Sequence, residues 1–185
     1  VPKKPIKNGD VYTVWGASYY LRSPVHHKEV SGKKLSIAGY IVKTNLGDAP
    51  ACAVHKGGKA DPENCKPPIP AFWLGDSKDA PESESIKVMG WASNFAQVFD
   101  AITDFDKGKD NAEHVDNMWQ VKIPNPLPAV GEKVTVKGDY ATTFTKASSG
   151  AEADPFMGML TFDEMSVQEP VADLATLPGV KRKKK

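Results

Sequence analysis

The sequence predicts a mainly β domain: a small closed barrel of five strands, one helix between the third and fourth strands, and extended ends. Three observations carry this. Several runs alternate apolar and polar residues with a period of two, one run repeats its apolar residues at helical spacing, and fifteen Gly and fifteen Pro punctuate the connections. At 185 residues, 40% hydrophobic and 25% charged, the chain is long enough for one packed domain and too balanced for wholesale disorder. No apolar run approaches the roughly eighteen residues of a membrane-spanning helix.

Taken in order, residues 1–31 are expected to form an irregular N-terminal arm, in which Val11–Tyr20, rich in aromatic and β-branched residues, reads as a strand or a short packed segment. The domain proper is expected over residues 32–170. Lys34–Lys43 sets Leu35, Ile37, Gly39 and Ile41 on one face, a half-buried strand with a bulge or sharp bend at Gly39. A long loop, Thr44–Pro68, follows. Ile69–Asp76, centred on Phe72, Trp73 and Leu74, is the second strand, and Ser85–Ala92 is the third, alternating Ile86, Val88 and Gly90 with Lys87, Met89 and Trp91.

Phe95, Val98, Phe99, Ile102 and Phe105 then recur at helical spacing, with Ser93 or Asn94 as N-cap and Gly108 past the end. Met118–Ile123 reads as an additional strand, and Pro124, Pro126 and Pro128 enforce an extended connection. Two more strands are expected in Glu132–Thr145, with Val134, Val136, Gly138 and Tyr140 on one face, and Gly158–Gln168, with Leu160, Phe162, Met165 and Val167. A polar loop, Lys146–Pro155, lies between them. Residues 171–185 form a C-terminal tail.

This order, three strands, a helix and two strands, resembles the OB-fold, a five-stranded Greek-key barrel. The wording that carries the resemblance is Gly-Lys-Lys-Leu-Ser-Ile-Ala-Gly-Tyr-Ile-Val over 32–42, Pro-Ala-Phe-Trp-Leu-Gly-Asp over 70–76, and Gly-Glu-Lys-Val-Thr-Val-Lys-Gly-Asp-Tyr over 131–140. It covers residues 30–169 and implies a binding module. OB domains bind nucleic acids, oligosaccharides or proteins, so it does not choose the ligand.

The formal net charge of +1 hides an asymmetry, because Lys181, Arg182, Lys183, Lys184 and Lys185 carry +5 and residues 1–180 sum to −4. The end reads as a solvated basic tail able to touch an anionic surface. Arg22 and Arg182 are the only arginines, which disfavours sequence-reading nucleic-acid contacts. Cys52 and Cys65 share a Gly/Pro/Lys-rich loop and are expected to form a disulfide, contributing about 3 kcal/mol in the chain-entropy model. With an N-terminus at Val1 that reads as processed, this predicts a periplasmic or secreted protein.

No nucleophile elbow, P-loop, zinc-protease motif or dinucleotide fingerprint occurs, so no catalysis and no cofactor are expected. Cys52, His55 and Cys65 offer a metal-binding alternative, though the spacing fits no zinc finger. Asp104, Asp106 and Asp110 briefly mimic a calcium loop, but Gly108, Lys109 and Val115 occupy its fifth, sixth and twelfth positions, and a solvated helix end fits better. Tyr40, Trp73, Trp91 and Trp119 are the rings able to form a binding face, among lysines diluted by acidic neighbours. The functional expectation is therefore a non-catalytic extracytoplasmic module, a protein-binding or structural subunit of a larger envelope assembly, acting through its two long loops and exposed rings. A single-stranded nucleic-acid or oligosaccharide binder using the barrel face is the alternative, with nucleic acid not favoured.

Overall fold

The computed structural model describes residues 4–108, 111–144, 146 and 152–183. Asp110, Lys184, Lys185 and part of the 146–155 loop lie outside them.

The chain opens with β1 (Lys7–Asn8) and β2 (Val11–Thr13), then α1 (Val14–Arg22) and the one-turn α2 (His27–Val30). Strands and helices therefore occupy much of residues 7–30, where an irregular arm is expected. Thr13 caps α1 by accepting the Gly16 N–H at 2.8 Å, and Asp76, 61 residues beyond Trp15, accepts the Val14 and Trp15 N–H groups at 2.9 and 2.8 Å. Thr13 is the local part of this cap, whereas the Asp76 part leaves no local pattern, and the aromatic and β-branched residues suggested a strand or a short packed segment. Val14, Ala17, Leu21 and Val30 join the main buried cluster, so the segment packs on the barrel.

The barrel consists of β3 (Lys33–Thr44), β4 (Phe72–Gly75), β5 (Ile86–Met89), β6 (Lys133–Ala141) and β7 (Met159–Glu169), with α3 (Phe95–Lys107) between β5 and β6. Neighbours run β3–β4–β5–β7–β6 and close through β6–β3; only β5–β7 is parallel within this ring. This is the OB-like barrel that the element order predicts. β2 adds in parallel to β3 at Val11–Thr13.

Closure depends on β3. Lys33–Tyr40 pairs with β6, Tyr40–Thr44 pairs with β4, and the register slips between Ile41 and Lys43. The bulge thus sits at Val42 rather than Gly39. Gly39 serves close approach instead: a Cβ there would lie 2.8 Å from the Gly75 carbonyl oxygen. Ile37, Ile41, Leu74, Val88, Val134 and Val136 fill the interior, and α3 adds Phe95, Val98, Ile102 and Phe105 to the same core. Asn94 caps α3 by accepting the Gln97 N–H at 2.9 Å.

Two expectations change. Met118–Ile123 is not a strand: the chain turns over residues 117–119, held by a buried aspartate, and among the described residues Lys122 forms an isolated bridge with Val115. The tail is partly docked: Leu177 is buried, Arg182 Nε donates to Asp106 Oδ1 at 3.1 Å, and the Lys183 N–H donates to Oδ2 of the same residue at 3.1 Å. Among the described residues of the basic run, the Lys181 and Lys183 side chains are exposed and fit the solvated reading.

Candidate functional site

The outer face of the barrel carries a row in register across three strands: Lys43 on β3, Trp73 on β4 and Lys87 on β5. Side chains of directly paired residues share a face, which places both ammonium groups beside the indole. Lys43 Nζ lies 4.8 Å and Lys87 Nζ 5.3 Å from the Trp73 ring centroid. Each lysine also has a carboxylate: Lys43 donates to Glu82 at 3.0 Å, and Lys87 pairs with Glu152. The row is an aromatic centre with neutralised cationic flanks.

Beside it lies a second, smaller hydrophobic cluster, separate from the barrel interior. Ala71, Met89, Phe144 and Met159 are buried in it, and Ile69, Trp73 and Trp119 pack against it. The β6–β7 connection delivers Phe144, held by its N–H donating to the Glu152 carbonyl at 3.0 Å and by the Thr143–Ala153 bridge. Trp119 meets Phe144 edge to face at 5.8 Å, and Lys146 Nζ lies 5.6 Å from the Trp119 ring. Trp73 and Trp119, from different parts of the chain, thus pack against one cluster.

Trp119 is placed by Asp116, which is 0% exposed. Its Oδ1 accepts the Met118 and Trp119 N–H groups at 2.9 and 2.8 Å; its Oδ2 accepts the Ser93 N–H and hydroxyl at 2.7 and 2.8 Å. Gln97 of α3 adds a bond from the Asn117 N–H to its Oε1 at 3.1 Å. A cleft of about 780 Å³ opens beside Trp119, between residues 119–125 and the Phe162–Met165 stretch of β7.

The other two predicted rings fall elsewhere. Trp91 is 0% exposed in the main core, 6.3 Å from Phe72, and its Nε1 has no hydrogen-bond partner, so it is corrected from binding face to core. Tyr40 stands between Lys78 and Lys133, each 5.7 Å from its ring, and takes no part in the Phe144 cluster.

The cysteine loop is clipped as expected. Cys52 and Cys65 form a disulfide with Cα atoms 6.0 Å apart. Asn45 ties the loop's ends, donating to the Ile69 carbonyl and accepting the Ala71 N–H, both at 2.8 Å. Midway, the Asp100 carboxylate accepts the Gly57 N–H at 3.0 and 3.1 Å. The metal alternative at Cys52, His55 and Cys65 is overturned, because both sulfurs are consumed in the bond and both His55 nitrogens are engaged. One meets the Lys56 carbonyl at 2.8 Å and the other Asp61 at 2.6 Å; these two acceptors hold its pKa above the ordinary histidine range.

Asp104 pairs with His114 Nδ1 at 2.6 Å and Asp106 with Arg182, contacts of a helix end rather than of a calcium loop. Among the described residues no three His, Cys, Asp or Glu side chains converge as metal donors. Sequence reasoning missed Phe144, Asp116 and Asn45, which build the site without touching its surface; none carries a spacing signature.

No protein-family model matches the chain, and no curated protein matches it. Among solved structures, similarity extends to a protein described as an aspartyl-tRNA synthetase of Leishmania major Friedlin, at 16% identity and TM-score 0.40. It covers 93% of this chain, which spans 23% of that one. An OBody, AM1L10, bound to hen egg-white lysozyme aligns at 10% identity and TM-score 0.34, over 91% of this chain and all of the OBody. A second, AM3L09, aligns at 12% and 0.31, over 77% of this chain and 88% of its own. The strand order, rather than these distant overlaps, establishes the OB-like barrel.

Proposed function

We propose that the chain is a non-catalytic protein-binding module of an extracytoplasmic assembly, and that its contact surface is the face carrying Trp73 and Trp119. One observation carries the reading: the lysines beside Trp73 are already paired with Glu82 and Glu152. A groove that tracks a nucleic-acid backbone draws its affinity from cations that release counterions on meeting phosphate. Lysines neutralised in advance supply little of that. An aromatic anchor rimmed by ion pairs is the composition of a protein-interface hot spot. The disulfide suits an oxidising compartment.

The Lys146–Trp119 contact favours the second reading, a single-stranded nucleic-acid binder using the same rings. A photo-crosslinker placed at position 73 in the native cell separates the two. The protein reading expects a discrete adduct with an extracytoplasmic protein and no oligothymidine binding at low salt. Oligothymidine binding that weakens steeply with salt, with no protein adduct, supports the second reading instead.

A further inference from the structure

The cleft beside Trp119 has a strand edge for one wall. β6 pairs with β7 along Met159–Glu169, whereas β5 pairs with it only at Met159–Thr161. Among the described residues, the backbone of Asp163–Gln168 has no hydrogen-bond partner beyond β6. In an antiparallel ladder, alternate residues turn their N–H and C=O groups away from the partner strand. Here, among the described residues, no other strand meets those groups.

Register shifts set Asp163 and Gln168 out of the ladder and leave Glu164–Val167 regular between them. That stretch is a short docking edge rather than an aggregation-prone one, since bulges and charge blunt both ends. Over Asp163–Glu169 the strand carries three carboxylates, Asp163, Glu164 and Glu169, and no cation. Asp163 pairs with Lys34 and Glu169 lies 3.9 Å from Lys133, but Glu164 is exposed and has no ion pair among the described residues. Met165 and Val167 alternate with it as half-buried apolar residues. Across the cleft stand Trp119 and Val121.

We infer that an extended, basic segment of a partner protein adds to β7 along Glu164–Val167, lying in the cleft with a Lys or Arg opposite Glu164 and apolar residues toward Met165 and Trp119. Strand addition takes affinity from main-chain hydrogen bonds and specificity from alternate side chains, and this edge offers both. A four-residue added strand spans about 13 Å, and the 780 Å³ cleft is large enough for a bound peptide. The inference rests on the protein-binding reading and names the form the partner takes.

The test uses the full chain with a synthetic heptapeptide alternating Lys and Val, its backbone N-methylated counterpart, and an alternating Glu and Val heptapeptide. Amide hydrogen exchange is followed residue by residue. The Lys–Val peptide is expected to slow exchange at alternate β7 amides within 164–168 about tenfold or more, and N-methylation to abolish the effect, because the added strand then lacks donors. E164K, an exposed substitution checked for unchanged unfolding, is expected to lose the Lys–Val effect and acquire one from the Glu–Val peptide. Unchanged β7 exchange with every peptide overturns strand addition; if the position-73 adduct with a protein persists, the binding-module reading stands. Slowing that appears with protein concentration alone, or equally with oligothymidine, also overturns it, by assigning the edge to a second copy or to nucleic acid.

Discussion

Asp116 accepts the backbone N–H of Trp119 at 2.8 Å with one carboxylate oxygen, while the other holds Ser93 at the entry to α3. One buried side chain thereby fixes both the wall of the cleft and the start of the helix behind it. Removing it leaves four donors without their acceptor. Asp116→Ala is expected to cost about 3 kcal/mol or more, because orphaned buried donors keep their desolvation penalty. Asp116→Asn, which retains one oxygen, is expected to cost less. Urea unfolding of the three proteins checks the order.

The 45–71 loop has three independent ties: the disulfide, the Asn45 clamp and the Asp100–Gly57 bond. Replacing both Cys52 and Cys65 with Ser is expected to lower stability by up to about 3 kcal/mol while the barrel still folds. Thermal unfolding with and without reductant measures this. Reductant is expected to lower the wild-type midpoint and leave the double variant unmoved.

Glu132 gives a pH signature. Its carboxylate is buried and accepts the Ala129 N–H at 2.7 Å; burial is the larger influence and pushes its pKa up. A carboxyl whose folded pKa exceeds its unfolded one destabilises the native state above the folded value, and that cost vanishes below the ordinary glutamate range. Glu132→Gln is expected to be more stable than the wild type at neutral pH, and the gap to close as pH falls through the raised value. Denaturation midpoints at a series of pH values report it.

Gly138 was legible as an inward position of its strand but not as an obligatory glycine. A Cβ there would lie 2.0 Å from the Thr161 carbonyl oxygen, beside the β6–β7 register shift. Gly138→Ala is expected to cost about 3 kcal/mol, the upper end of ordinary overpacking, because backbone rather than a movable side chain stands in the way. Calorimetry of the variant tests this.

Period-two runs carry information about partners on the same sheet, so the five barrel strands and the helix were readable, as was Cys52–Cys65. Contacts that cross the chain leave no such pattern. Asp76 capping α1 made a helix of Val14–Arg22, and Asp116 turned Met118–Ile123 away from a strand. Trp91 shows the limit for the site: strand alternation placed it opposite Val88, yet it follows the end of β5, where the chain turns and drives the indole inward. Trp73 and Trp119 were recognisable as rings, but the cluster both pack against is completed by Phe144, which the β6–β7 connection delivers by folding back.

The most direct measurement compares how tightly the native partner is held by the wild-type chain and by Trp73→Ala, with unfolding midpoints of both as control. An interface centred on this ring predicts at least thirtyfold weaker binding, the loss of about 2 kcal/mol expected of an aromatic hot spot, in a variant that the unfolding midpoint shows to be still folded. Equal affinity for the partner, or oligothymidine binding at low salt that disappears in Lys43→Ala and Lys87→Ala, would contradict it.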